Sequence, residues 1–208
     1  MKTILRGTER TTLEIEGRIE GAIDGIDAPF ETDGTVSLLL FSMRRLAFRA
    51  LPWVGMSYHE GLWRIGIRVD GSPAWLAVRC DLDSAIVRAL GRRIVRYPAK
   101  AASFEVARDG WTLHATEGAL SVRFEASDDT PAPEPPRRTF VMSEGRAFVI
   151  PWEEIAAPSR ASARVEVLLD TLSVPTLGSR VSWSSQGLAH RGRIHMCGVA
   201  RPMHLDRS

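Results

Sequence analysis

Cysteine is scarce, charge is nearly balanced and no long apolar run occurs, and each shortage removes a class of protein. The two cysteines, Cys80 and Cys197, are too few to staple a chain of 208 residues. They read as reduced, buried small hydrophobes. Basic residues outnumber acidic ones by only 27 to 25, a net charge of +2. That imbalance is no footprint for nucleic acid, and the single Arg191-Gly192-Arg193 is too short for an RNA-binding segment. The longest apolar run, Leu38-Leu39-Leu40-Phe41, falls far short of a membrane span, and the N-terminal MKTILRGTERTT holds no apolar signal core. These absences predict a cytoplasmic protein with neither membrane nor nucleic-acid partners.

Signatures of metal and hydrolase chemistry are missing too. No CxxC, HxH or HExxH spacing occurs among the cysteines and His59, His114, His190, His195 and His204. His190 and His195 lie five apart, so a strand places them on opposite faces and no joint metal site is expected. Ser42, Ser57 and Ser103 have no GxSxG elbow around them. No metal or cofactor is therefore expected.

What is present is a succession of strand patterns, with 44% hydrophobic residues, enough to bury a core in one domain spanning 1–208. Residues 12–19 alternate at Leu13, Ile15 and Ile19, and the Gly- and Asp-rich residues 21–34 read as a loop. The apolar run from Thr35 to Met43 reads as a strand covered on both faces, ended by Arg44 and Arg45. Residues 45–58 read as a surface loop anchored by Trp53. From Glu60 to Asp70, Leu62, Arg64, Gly66 and Arg68 face one way, and Trp63, Ile65, Ile67 and Val69 the other. Asp70-Gly71 then turns the chain into an antiparallel partner over 74–80.

One helix is expected, capped by Asp83 or Ser84, with an apolar stripe of Ile86, Val87 and Leu90 and a left-handed terminus at Gly91. A meander follows over 103–107, 111–115 and 119–125. Residues 127–138 are Pro-rich and read as an exposed connection. A hairpin around Glu144-Gly145 and strands over 164–169, 180–183 and 188–196 complete the pattern. The class is mostly β, an α+β chain whose largely antiparallel sheet closes or nearly closes into a barrel with a few short helices.

Residues 81–100, DLDSAIVRALGRRIVRYPAK, carry a more specific signal. An aspartate (Asp83), an apolar helix position (Ile86), Gly91-Arg92, Tyr97-Pro98 and Lys100 fall in a pattern that resembles the acetoacetate decarboxylase family. There the segment ends in aromatic-Pro-Lys-Lys. Tyr58-His59-Glu60 is similar to that family's tyrosine-x-glutamate, whose glutamate lines the active-site cavity. The resemblance is clear over residues 36–125, and points to a divergent branch of bacterial proteins with this fold. It implies a partly open, cone-shaped β-barrel around a buried pocket.

The departures are as informative. In the family the first lysine forms a Schiff base with a ketoacid, which requires a neutral amine near pH 7. Ala99 stands at that position, Arg93 replaces the glutamate of Gly-Arg-Glu, and Leu38 to Leu40 hold no second acid. Decarboxylation is therefore not expected. Lys100 is open to two readings. In an extended segment it points away from the Ala99 face and stays solvated or ion-paired; a bulge would turn it inward, where Arg92, Arg93 and Arg96 would lower its pKa. Glu60 is either a pocket acid or a surface glutamate at a strand end. Arg88, Arg92 and Arg96 would form one basic helical stripe, solvated unless a carboxylate ligand sits there.

The expected ligand site comprises Tyr58, Glu60, Arg92, Tyr97, Pro98 and Ala99. The expected function is binding of a small organic acid or hydrophobic metabolite without Schiff-base decarboxylation. The alternative is an enzyme acting on a carbonyl or ketoacid substrate, with Glu60 and Lys100 as the catalytic pair. The expected partners are a small-molecule ligand and, as in the family, further copies of the chain.

Overall fold

The computed structural model describes residues 5–21, 30–127, 131, 137–154, 159–172 and 180–203. The elements run β1 (Leu5–Glu20), β2 (Glu31–Phe48), β3 (Gly55–Val69), β4 (Ser72–Leu82), α1 (Ala85–Leu90), a π-helical turn (Gly91–Val95), β5 (Ala99–Val106), β6 (Gly110–Ala115) and β7 (Gly118–Ala126). They continue with β8 (Thr139–Ser143), β9 (Arg146–Val149), β10 (Trp152–Glu154), β11 (Ser159–Asp170), β12 (Arg180–Met196) and β13 (Arg201–Pro202).

All the described strands belong to one 13-stranded sheet. Its centre, β4-β3-β2-β1-β12, is antiparallel and carries a core on each face. On one side the path continues through β11, β7, β6 and β5, and β5 pairs with the end of β4 to close a ring. On the other side β8 and β9 extend from the start of β4, while β10 extends from the end of β12. These edges make an open cup on the opposite face. The sheet is mostly antiparallel, as expected, but β4 pairs in parallel with both β5 and β8, each reached by a crossover.

Strand alternation assigns the two cores. Leu13, Ile15, Val36, Leu38, Leu40, Trp63, Ile65 and Ile67 join Trp111, Leu113, Leu120, Val122, Ala163 and Val165 to fill the ring. Their intervening neighbours, Leu39, Phe41, Met43, Tyr58 and Leu62, face the cup with Cys80, Leu82, Val87, Val95, Tyr97 and Ala99. The run from Leu38 to Phe41 is apolar without interruption because β2 has a core on each face.

Several boundaries differ from expectation. Strand β2 does not stop at Arg44-Arg45; a register shift between Met43 and Leu46, with Arg45 at φ 48°, puts both arginines outside and returns Leu46 and Ala47 to the core. The expected surface loop over 45–58 thereby shrinks to residues 49–54, closed by bonds from Leu51 N–H to the Phe48 carbonyl and from Val54 N–H to the Leu51 carbonyl, and Trp53, 73% exposed, is not buried as an anchor among the described residues. The runs at 180–183 and 188–196 are one strand, β12, interrupted by a register irregularity over the polar residues between Trp183 and Gly187. Ser84 caps α1 by accepting from the Val87 N–H, but Ile86 is 63% exposed and only Val87 of the stripe is fully buried. Gly91 keeps right-handed geometry (φ −57°), so the chain continues through the π-helical turn, and Arg96 at φ 60° makes the left-handed stop.

The hairpins at Asp70-Gly71 (φ 51° and 73°) and Glu144-Gly145 (φ 53° and 69°) form as expected. Neither cysteine is in a disulfide, and both are buried, as expected. Among the described residues no helix is long and apolar enough to cross a membrane. Most of the Pro-rich connection, the middle of the 21–34 loop and His204 lie outside the described residues.

Candidate functional site

Tyr58 and Glu60 stand two apart on β3, so both side chains point into the cup. The α1 and π-helical turns cross above them, and the left-handed Arg96 reverses the chain so that Tyr97 drops into the same core. Between helix and sheet lies a small, partly open cavity of about 30 Å³. Its walls are almost wholly apolar, from Leu46, Leu82, Leu90, Ile94 and Met196 among others, with Tyr58, Glu60 and Tyr97 also lining it.

Glu60 is only 3% exposed. Burial raises its carboxyl to a pKa of about 8; the hydrogen bond from Cys80 and the nearby Arg10 charge pull the other way, and Asp81 adds a little to the rise. At neutral pH it is an uncharged carboxylic acid that can donate a proton. The Cys80 Sγ donates to Glu60 Oε1 at 3.3 Å. Burial, reinforced by the Glu60 charge, pushes Tyr58, Tyr97 and the Cys80 thiol well above their ordinary values, so all three keep their protons. Trp152 Nε1 donates to Tyr97 Oη at 3.1 Å and fixes the phenol in place. Arg10 lies 5.9 Å from the Phe41 ring centroid, on the same face.

Of the six expected ligand residues, Tyr58, Glu60 and Tyr97 meet at the cavity, whereas Arg92, Pro98 and Ala99 are not among its walls. Ala99 is buried in the cup core beside its cross-strand partner Cys80, and Pro98 is half-buried. The Arg92 guanidinium is committed to the Ala99 carbonyl, which accepts from both Nε and Nη2. Arg88 donates to the Leu82 carbonyl at 3.0 Å, and Arg96 meets Glu144 at 3.8 Å and the face of Phe148. The basic stripe serves the fold.

Lys100 does not reach the cavity. Residues 99–101 pair with 80–82 in unbroken register, without the bulge that would rotate the side chain inward. Ala99 therefore faces the cup and Lys100 the opposite side, where its Nζ binds Glu117 Oε1 at 2.9 Å. Glu117 also accepts from Arg79, which binds Asp81, and Asp81 accepts from Trp63 Nε1 at 3.0 Å. The bond from Lys100 helps pull Glu117 down to a pKa of about 2. The expected Glu60–Lys100 pair is thus split across the two faces of the sheet.

Sequence reasoning did not place Arg10, Cys80 or Trp152 at the site; Cys80 was expected only as a buried small hydrophobe. Strand alternation through Leu13 and Ile15 could have put Arg10 on the cup face. Nothing local marks Trp152, which meets a tyrosine 55 residues away. Among the described residues no group of three or more His, Cys, Asp or Glu side chains could hold a metal ion.

Neither a protein-family model nor a curated protein sequence matches the chain. Solved structures match its fold. The enduracididine biosynthesis enzyme MppR superposes with a TM-score of 0.73 at 11% identity, over 100% of this chain and 90% of that one. An acetoacetate decarboxylase-like enzyme from Sphingomonas wittichii RW1 gives 0.68 at 12% identity, over 98% and 94%. The acetoacetate decarboxylase of Legionella pneumophila gives 0.66 at 13% identity, over 97% and 90%. With its ring, its cup and its crossing helical turn, the chain has the acetoacetate decarboxylase-like fold.

Proposed function

We propose that this protein binds a small carbonyl compound, an oxo acid of pyruvate size or a short ketone, in the Glu60 cavity, without forming a Schiff base. The observation that carries the reading is the buried, uncharged Glu60 carboxyl in an apolar cavity whose lining side chains include two phenols and no amine. A neutral acid donates to a carbonyl oxygen, and Ala99, where the resemblance calls for lysine, supplies only a methyl group. Size limits the occupant: about 30 Å³ is small beside the ~150 Å³ cavity that admits benzene, so the ligand has few heavy atoms or projects through the mouth. MppR has been crystallised with pyruvate and with the condensation product of pyruvate and imidazole 4-carboxaldehyde, which favours ligands of this class.

Borohydride trapping with pyruvate and short ketones, read by mass spectrometry, tests the chemistry cleanly because Lys2 and Lys100 are the only lysines. No adduct is expected on the native protein, and one is expected on the Ala99→Lys variant, whose new amine faces the cup. An adduct on Lys100, or carbon dioxide released from an oxo acid, would overturn the reading. Calorimetric titration checks binding itself. Saturable binding that weakens in Glu60→Gln and fades as pH rises through about 8 is the expected result, and absence of binding by any carbonyl compound sinks it.

A second reading, catalysis on a carbonyl substrate with Glu60 as acid and base, draws on the same raised pKa, close to operating pH. Exchange of α-hydrogens of pyruvate for deuterium, followed by NMR and lost in Glu60→Gln, would separate catalysis from binding alone.

A further inference from the structure

We propose that Cys80 is a positioning residue for Glu60: its thiol holds one carboxyl oxygen so that the acidic hydrogen on the other is presented to the cavity. The inference rests on the reading of the Glu60 cavity as a carbonyl-binding site, and it assigns a role to a side chain that does not itself touch the cavity.

The geometry begins with strand register. Glu60 pairs with Leu82 and Leu62 pairs with Cys80, so Cys80 is the diagonal neighbour of Glu60 on the cup face. Both side chains are buried, Cys80 completely and Glu60 to 3% exposure, and Sγ donates to Oε1 at 3.3 Å. Cys80 is held on its other flank as well. Its N–H donates to the Pro98 carbonyl at 3.2 Å, and its cross-strand partner is Ala99.

A protonated carboxyl has one carbonyl-type oxygen and one hydroxyl. A thiol donor at Oε1 selects that atom as the acceptor and leaves Oε2 to carry the hydrogen. Among the described residues, the charged and titratable groups that act on Glu60 or face it include Arg10 from β1, Tyr58 from β3, Cys80 and Asp81 from β4, and Tyr97 from the link before β5. Tyr97 is already oriented by Trp152, and Asp81 is turned to Arg79 and Trp63 on the other face. Cys80 donates directly to one Glu60 oxygen, and that bond sets which oxygen carries the hydrogen. A thiol is a weak donor, but both partners are buried, where a lost bond is costly.

The full-length protein provides the test. Infrared spectra of the wild type across the Glu60 titration report both partners: the carboxyl band, assigned by its loss in Glu60→Gln, and the Cys80 S–H stretch, separated from that of Cys197 by a Cys197→Ser variant. As Glu60 ionises it becomes the stronger acceptor, so the S–H band is expected to move to lower frequency with the same midpoint. An S–H band that ignores the titration overturns the proposal without any mutant at Cys80. In Cys80→Ala the midpoint is expected to rise by about one pH unit and pyruvate affinity to fall roughly three- to tenfold, with Cys80→Ser restoring both. A lowered melting temperature with unchanged midpoint and affinity would instead make Cys80 a core filler. If the midpoint follows Cys80 while no carbonyl compound binds, the positioning role stands and the proposed function falls.

Discussion

Glu60 couples the cavity to folding through a single proton. Below pH 4.5 the carboxyl is protonated in both the folded and the unfolded chain; between 4.5 and about 8 the unfolded chain releases the proton and the folded one retains it. Stability contributed by this group is therefore complete below the unfolded value, falls as pH rises through that window and levels off above it. The loss amounts to roughly a few kcal/mol, and Glu60→Gln, nearly isosteric and always neutral, should remove it. Chemical denaturation of the two proteins across the window checks this: the variant is expected to gain on the wild type steadily up to about pH 8. His190, lowered to about 4 mainly by burial, works in the opposite sense, and its contribution is lost as pH falls from 6.5 toward that value. At this scale the meeting of Tyr58, Glu60 and Tyr97 at one cavity was legible from the sequence, because the Tyr-x-Glu and Tyr-Pro matches place side chains whose direction local backbone geometry controls. Arg92 was not, because its long side chain could reach either a ligand or the Ala99 carbonyl, and only the turn of the chain at Arg96 decides between them.

Among the elements, the β6–β7 turn makes the tightest demand on sequence. Gly118 has φ +136°, and a Cβ there would meet the Thr171 carbonyl oxygen at 2.2 Å, where the end of β11 lies against the turn. Gly118→Ala is expected to cost about 2–4 kcal/mol, from strain plus a clash with backbone that cannot yield locally. Gly145→Ala, at φ +69° with open space around it, should cost only about 1 kcal/mol. Thermal unfolding of the two variants side by side measures the difference; equal losses would mean that β11 can retreat from the turn. The strands themselves were largely readable, since alternation at residues 62–69 and the Asp-Gly and Glu-Gly turns carry their own geometry. Their ends were not. Strand β2 runs past Arg44-Arg45 because a bulge exports the two arginines, and the helical path continues beyond α1 as a π turn because Gly91 remains right-handed.

Across the whole molecule, the ring and the cup share the central sheet but close differently. The ring depends on the parallel β4–β5 pairing, beside which Arg79 (2% exposed) is held by the fully buried Asp81. Removing that carboxylate in Asp81→Ala leaves a buried guanidinium with only Glu117 of these two partners, and is expected to destabilise the protein by about 3–5 kcal/mol. Hydrogen exchange should locate the damage: amides of β5, β6 and β7 are expected to exchange faster before those of β8 and β9. Uniform acceleration would show that ring and cup unfold as one unit.

Residues in this chain determine by themselves that it is strand-rich, where most strands and two of its hairpins lie, and that position 99 carries no nucleophile. All of these depend on side-chain chemistry or on contacts between neighbours in the sequence. The tertiary structure decided which face of the sheet each residue serves. It set Lys100 against Glu117 and left Glu60 with Cys80, because an unbroken register between β4 and β5 sends adjacent side chains to opposite cores. It also decided that Glu60 is a neutral acid, since its surroundings come from helical turns, Trp152 of β10 and strand ends that lie far apart in sequence and meet only when the cup is formed.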